Sequence, residues 1–101
     1  MALQLLVLDY ALLYYGATTN TRYSEDYTWR TFSAIHVGAD VATALSELGP
    51  PIDIKNCPGH DYYQEWHYTR PKEHLSWLRR ILIVDRRTGR IVERITETYW
   101  D

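Results

Sequence analysis

Cys57-x-x-His60, with Glu65 and His67 following, is the stretch of this 101-residue chain that most resembles the start of a metal site, because thiolate and imidazole are preferred zinc ligands. A closed site needs four ligands, commonly through a second C-x-x-C or H-x-x-x-H pair, and no second pair is present. Cys57, His60 and His67 are thus weak metal candidates, and a loop thiol beside strand-surface imidazoles is the simpler reading. Nucleophilic chemistry would need Cys57 to attack with His60 or His67 as base, together with an orienting acid and an oxyanion nest that nothing in the sequence identifies. Glu93 and Glu97 share a strand face, where a carboxylate pair is more often solvated than an acid/base couple. No glycine-rich phosphate loop is present. The expectation is therefore a protein that is not an enzyme and needs no cofactor.

Binding chemistry is better represented. Nine Tyr and four Trp are many for this length, and amphipathic aromatics are enriched where a surface contacts a partner. Trp66, Tyr68, Trp77, Tyr99 and Trp100 should divide between the core and an exposed sheet face; those left exposed, with Arg87, are the candidate partner-binding residues. Arg79, Arg80, Arg86, Arg87, Arg90 and Arg94 concentrate basic charge on one hairpin. They suit carboxylate recognition, although cross-strand pairing with Glu93 and Glu97 on a soluble hairpin is the preferred reading. With 11 Lys+Arg against 13 Asp+Glu and a formal charge of -2, the chain lacks the electrostatic footprint that nucleic acid requires. The expected partner is another protein.

These residues must be positioned by a small number of elements. Val41, Ala44, Leu45 and Leu48 fall at helical spacing, with Asp40 placed to cap the first turn and Gly49 to close the last. Pro50 and Pro51 forbid continuation. Residues 52–61 read as a surface loop. Residues 62–69, rich in Tyr and Trp, read as a strand. The β-branched run over 78–85 reads as a central strand, and the alternation over 90–99 as its hairpin partner, with Gly89 supplying a positive φ in the turn. Residues 71–77 fit either a loop or an edge strand. The fold class is α+β, with one or two short helices packed on a three-stranded antiparallel meander and an apolar N-terminal helix before them.

Residues 2–17 form an apolar stretch interrupted by Gln4 and Asp9, about 24 Å long as a helix and so short of a roughly 30 Å hydrocarbon core. No basic residue precedes Arg22, so the n-region of a secretion signal is missing. A membrane anchor with Tyr10, Tyr14 and Tyr15 at the interface, a segment packed on the domain, and a partner-binding helix all fit. The domain organisation expected is an apolar segment over 1–20, a linker over 21–31 and an α+β domain over 32–101. Cys57 stands alone and cannot form an internal disulfide.

Phe32-x-x-Ile35-x-x-Gly38, Asp40-Val41 and Leu48-Gly49-Pro50-Pro51 resemble the opening of the SmpA/OmlA (BamE-like) domain, in which a helical pair ends in an LG-x-P turn. Glu65-Trp66-His67-Tyr68, residues 81–84 and Gly89-Arg90-Ile91-Val92 resemble that family's later strands. The resemblance covers about the last seventy residues. It implies a non-catalytic scaffold or protein-binding module of the cell envelope, membrane-anchored if residues 2–17 serve as anchor, and cytoplasmic otherwise. The fold recurs in secreted inhibitors of β-lactamases, so a secreted or virus-borne inhibitor is the alternative, with a small metal-binding enzyme behind it. The lipid-modified cysteine of envelope members has no counterpart, because Cys57 lies mid-domain.

Overall fold

Residues 16–99 are described by a computed structural model. Of the first helix, α1, residues 16–19 are described. The chain continues through β1 (Thr21–Tyr23), α2 (Trp29–Ala34), α3 (Val41–Leu48), β2 (Asp53–Cys57), β3 (His60–His67), β4 (Thr69–Pro71), β5 (Trp77–Asp85) and β6 (Arg90–Tyr99). The α+β class is as expected, but the described strands number six rather than three. They form a four-stranded antiparallel sheet in the order β2-β3-β5-β6 and a two-stranded ribbon of β1 with β4.

The additional strands have local causes. Residues 52–61, read as a loop, contain β2, whose Asp53, Ile54, Lys55 and Asn56 pair with His67, Trp66, Glu65 and Gln64. Pro58 and Gly59 turn the chain between Cys57 and His60, with Gly59 at φ 77. A proline followed by a left-handed glycine is the composition of a type II turn. β3 and β4 are one extended run interrupted at Tyr68. There Tyr68 N–H donates to Arg80 O at 2.9 Å, and the Arg80 N–H is taken by Thr69 Oγ1 at 2.9 Å. The long strand is thus flanked on its outer edge by two short strands placed end to end, β2 beside β3 and β1 beside β4. Within the stretch read as a linker, β1 pairs with β4 (Thr21 opposite Pro71) and the first residues of α2 are helical.

Helix caps follow the sequence closely. Asp40 Oδ1 accepts from Ala42 N–H at 3.1 Å at the start of α3, and Gly49 closes it at φ 74. Thr28 Oγ1 accepts from Thr31 N–H at the start of α2. At the other end of α2, one nitrogen of Arg94 donates to Ser33 O at 2.6 Å and Ile35 O at 2.8 Å, satisfying carbonyls that a short helix cannot pair internally.

α2 and α3 cover one face of the sheet. Phe32, Ile35, Ala44 and Leu48 pack there against Trp66, Tyr68, Leu82, Val84 and Ile91. β5 is buried from Arg80 through Asp85, as its β-branched run leads one to expect of a central strand. No helix among the described residues is long and apolar enough to cross a membrane. Residues 2–15 of the apolar stretch, the segment read as anchor, packed element or partner helix, lie outside the described residues, as does Trp100.

Candidate functional site

The metal candidates do not converge. Cys57 and His60 face each other across the β2–β3 turn, the His60 ring stacks on Tyr63 with centroids 5.3 Å apart, and His67 is spent elsewhere. Among the described residues no group of three or more His, Cys, Asp or Glu side chains is placed to hold one ion. Burial pushes the Cys57 thiol up, and the carboxylates of Glu65 and Glu93 act in the same direction. The thiolate that a nucleophile or a soft metal would need is correspondingly scarce.

The aromatic candidates separate by strand parity. Trp66 and Tyr68 face the helices and belong to the core: Tyr68 is fully buried, its hydroxyl donating to Gly49 O at 3.1 Å and its ring meeting Phe32 edge-on. They offer nothing to a partner. Trp77 and Tyr99 stand opposite each other on β5 and β6, on the face the helices leave uncovered, with ring centroids 6.3 Å apart. Arg87 lies apart from them at the β5–β6 turn, its guanidinium 4.4 Å over the Tyr62 ring. Arg87 N–H also donates to Asp85 Oδ1, and this bond, with the side-chain pairing to Arg87, holds the Asp85 carboxyl below its usual range against the opposing effect of burial.

Trp77 and Tyr99 form one end of a groove of about 450 Å³ on that open face, with Arg79, Arg70, Lys55 and His67 along it. Arg79 is ion-paired to Glu97 across the strands. His67 Nε2–H donates to Glu65 Oε1 at 2.9 Å, which assigns the Nε2 proton and holds the ring in the groove wall. The groove thus combines two aromatic rings with basic and acidic side chains.

A second concavity went unrecognised in the sequence. It is a cleft of about 770 Å³ where the β1–α2 connection crosses β5, walled by Tyr23, Tyr27 and Trp29 and reached by Ser24 and Arg80. Arg80 has the same strand parity as Leu78, Leu82 and Val84, so it enters the face that holds the core. It is only 9% exposed, and its guanidinium lies 4.9 Å from the centroid of a Trp29 ring. One terminal nitrogen donates to the carbonyls of Arg79 and Glu97. An arginine at a core-facing position of a strand was the sequence signal for this cleft, together with the aromatic density of residues 23–29.

Of the six arginines on the hairpin, only Arg79 pairs with a glutamate across the strands. Arg90 donates to Gly38 O at 2.8 Å, Arg94 caps α2, Arg87 covers Tyr62 and Arg80 enters the cleft. Most of the basic charge therefore anchors helices and aromatics to the sheet.

The fold and sites define a small α+β domain with two concave surfaces on opposite faces of one sheet. Compared with family models, curated proteins and solved structures, the chain matches none.

Proposed function

We propose that this chain is a non-catalytic protein-binding module, BamE-like in its order of helices and strands and working in the cell envelope, and that it holds its partner on the open sheet face. The observation that carries this reading is the Trp77–Tyr99 pair at the mouth of the groove, with Tyr99 47% exposed. Large aromatics that remain accessible beside arginines are the usual anchors of protein interfaces. Arg79 and Arg70 supply the polar rim, and the β5–β6 hairpin presents the pair on paired strands.

The test is quantitative affinity capture with the tagged full chain as bait in an extract of its own cells, comparing wild type with Trp77→Ala/Tyr99→Ala. Truncating a pair of anchors should weaken a true partner by about thirtyfold or more, the equivalent of 2 kcal/mol. Arg86→Ala, at an exposed turn position, should leave capture unchanged. If the double variant keeps its circular dichroism and melting temperature and no captured protein distinguishes it from wild type, the reading is wrong.

A further inference from the structure

The four-stranded sheet has two edges, and they are built differently. β2 closes one side with five residues, carries Asp53 and Lys55, shifts register between Asn56 and Cys57 and is followed by Pro58. Shortness, charge, a bulge and proline are the features that keep an edge from pairing with another chain. β6 closes the other side with ten residues, Arg90–Tyr99, and contains neither lysine nor proline. Only its start is covered: Gly38 N–H donates to Ile91 O at 2.6 Å, and Ile91 N–H donates to Ala39 O at 2.9 Å. From residue 93 to residue 99, no strand among the described residues lies along its outer side.

The backbone of that stretch is aimed outward by alternation. Arg80 N–H donates to Thr69 Oγ1, Arg80 O accepts from Tyr68 N–H, and Leu78 N–H donates to Thr21 Oγ1. Leu78 and Arg80 thus turn their backbone groups away from β6, and Arg79 and Ile81 turn theirs toward Glu97 and Ile95. Bonded and non-bonded positions alternate along an antiparallel strand, so Arg94, Thr96 and Thr98 present their N–H and C=O groups to the open edge. Val92, skipped in the pairing between Glu93 and Ile91, ends the stretch with a bulge.

Charge and length select the occupant. When β6 pairs with a second β6 about a two-fold axis, centring on Thr96 uses the whole open stretch, with residue 93 of one copy against residue 99 of the other. Thr96 then faces Thr96, Arg94 faces Thr98, Ile95 faces Glu97 and Glu93 faces Tyr99. Moving the centre by one residue sets Glu93 against Glu97, or Glu97 against itself, and like charges directly opposite are destabilising. The same register brings Arg94, Thr96 and Thr98 together as pairs that exchange both N–H···O bonds.

We propose that two copies of this chain associate through β6, antiparallel and centred on Thr96, into one continuous sheet. A two-fold axis perpendicular to the sheet keeps both Trp77–Tyr99 pairs on the same side, so the dimer presents two grooves on one face. The association stands independently of what the groove holds.

The experiment is sedimentation of the full chain from about 1 µM to about 1 mM, where a monomer–dimer equilibrium is expected. Hydrogen exchange at the upper end should show the Thr96 and Thr98 amides protected about tenfold better than at the lower end. Thr96→Pro removes an N–H that faces outward, a place where an edge strand tolerates proline. It should abolish the dimer. Should that variant fail to fold, Thr96→Lys, at an exposed position, sets two ammonium groups together and should weaken the dimer about tenfold or more. In a Cys57→Ser background, Thr96→Cys should form an intermolecular disulfide about fivefold faster than Glu97→Cys, because only residue 96 faces itself within bridging distance. The proposal is overturned if the chain stays monomeric at about 1 mM, if a folded Thr96 variant dimerises as well as wild type, or if Glu97→Cys crosslinks the faster.

Discussion

Replacing Tyr68 by Phe should produce a stability difference that reverses sign with pH. Tyr68 is fully buried, and its hydroxyl donates to Gly49 O. Removing that hydrogen bond costs about 1 kcal/mol at neutral pH. Burial also pushes the phenol from its ordinary 10.0 up to about 12. A raised value in the folded state means that the stability tied to the neutral phenol is intact below pH 10, where both states are protonated. It falls once the unfolded chain ionises and the folded chain resists. By about pH 12 the wild type has lost about 2.3 kcal/mol that the Phe variant has no group to lose. The two curves should therefore cross near about pH 10.7, where the ionisation loss equals the lost hydrogen bond. Urea unfolding followed by tryptophan fluorescence from pH 7 to 11.5 measures this directly, because the other tyrosines and lysines titrate alike in both proteins and cancel in the difference. A difference that stays constant across the whole range would refute the link between burial of this phenol and its ionisation.

Asn20→Ala should lower stability by about 2–3 kcal/mol and expose the amide of Glu73 to hydrogen exchange. Its side chain donates to the carbonyls of Glu73, Leu75 and Ser76 and accepts from Glu73 N–H; retained protection at Glu73 would contradict that role. Gly49→Ala should cost about 1–3 kcal/mol, since φ is 74 and the new Cβ would lie 2.7 Å from Asp26 Oδ2 and 3.2 Å from Asp26 Cβ. Asp26→Gly should recover part of that loss in thermal melts, and no recovery would place the strain in the backbone alone. For Asp85, whose carboxyl is held low chiefly by Arg87 N–H, the contribution is full above the ordinary carboxylate range and disappears as pH falls through the depressed value. Acid titration of Asp85→Asn should therefore show a shallower fall in stability than wild type, and parallel curves would show that the bond does not favour the ionised form.

The elements legible in the sequence are those that carry their own boundary chemistry. α3 stands between an aspartate cap and a glycine followed by two prolines, and its limits match the reading residue for residue. β5 and β6 are long, β-branched or alternating, and joined by a turn whose Gly89 has φ 68. β2 escaped notice because Asp53, Ile54, Lys55 and Asn56 are all exposed: an edge strand wet on both faces has no alternation to display, and Asn56 with Pro58 imitates loop composition. α2 is six residues long, under two turns, too short for a helical period to repeat. β1 is held by pairing with residues almost fifty positions away, which no local pattern announces. Sorting the aromatics depended on parity. Trp77 and Tyr99 fall on the open face while Trp66 and Tyr68 fall on the covered one.

The end-to-end arrangement of β1 and β2 along one long strand has a consequence for the order of assembly. β5 and β6 meet across a four-residue turn, and β2 and β3 across Pro58 and Gly59, whereas β1 reaches β4 only after closing a loop of almost fifty residues. On loop-closure entropy alone, that difference disfavours early β1 docking by about 2 kcal/mol. The hairpins can zip while the ribbon is still open, so the last event of folding is also the one that brings Ser24 beside Tyr68 and builds the aromatic cleft over Arg80. Pulse-labelled hydrogen exchange should find Ser24 N–H protected after the β5–β6 amides. The cleft between Trp29 and Arg80 then comes into being only with the final strand, so the seam that closes last is also the one that walls it.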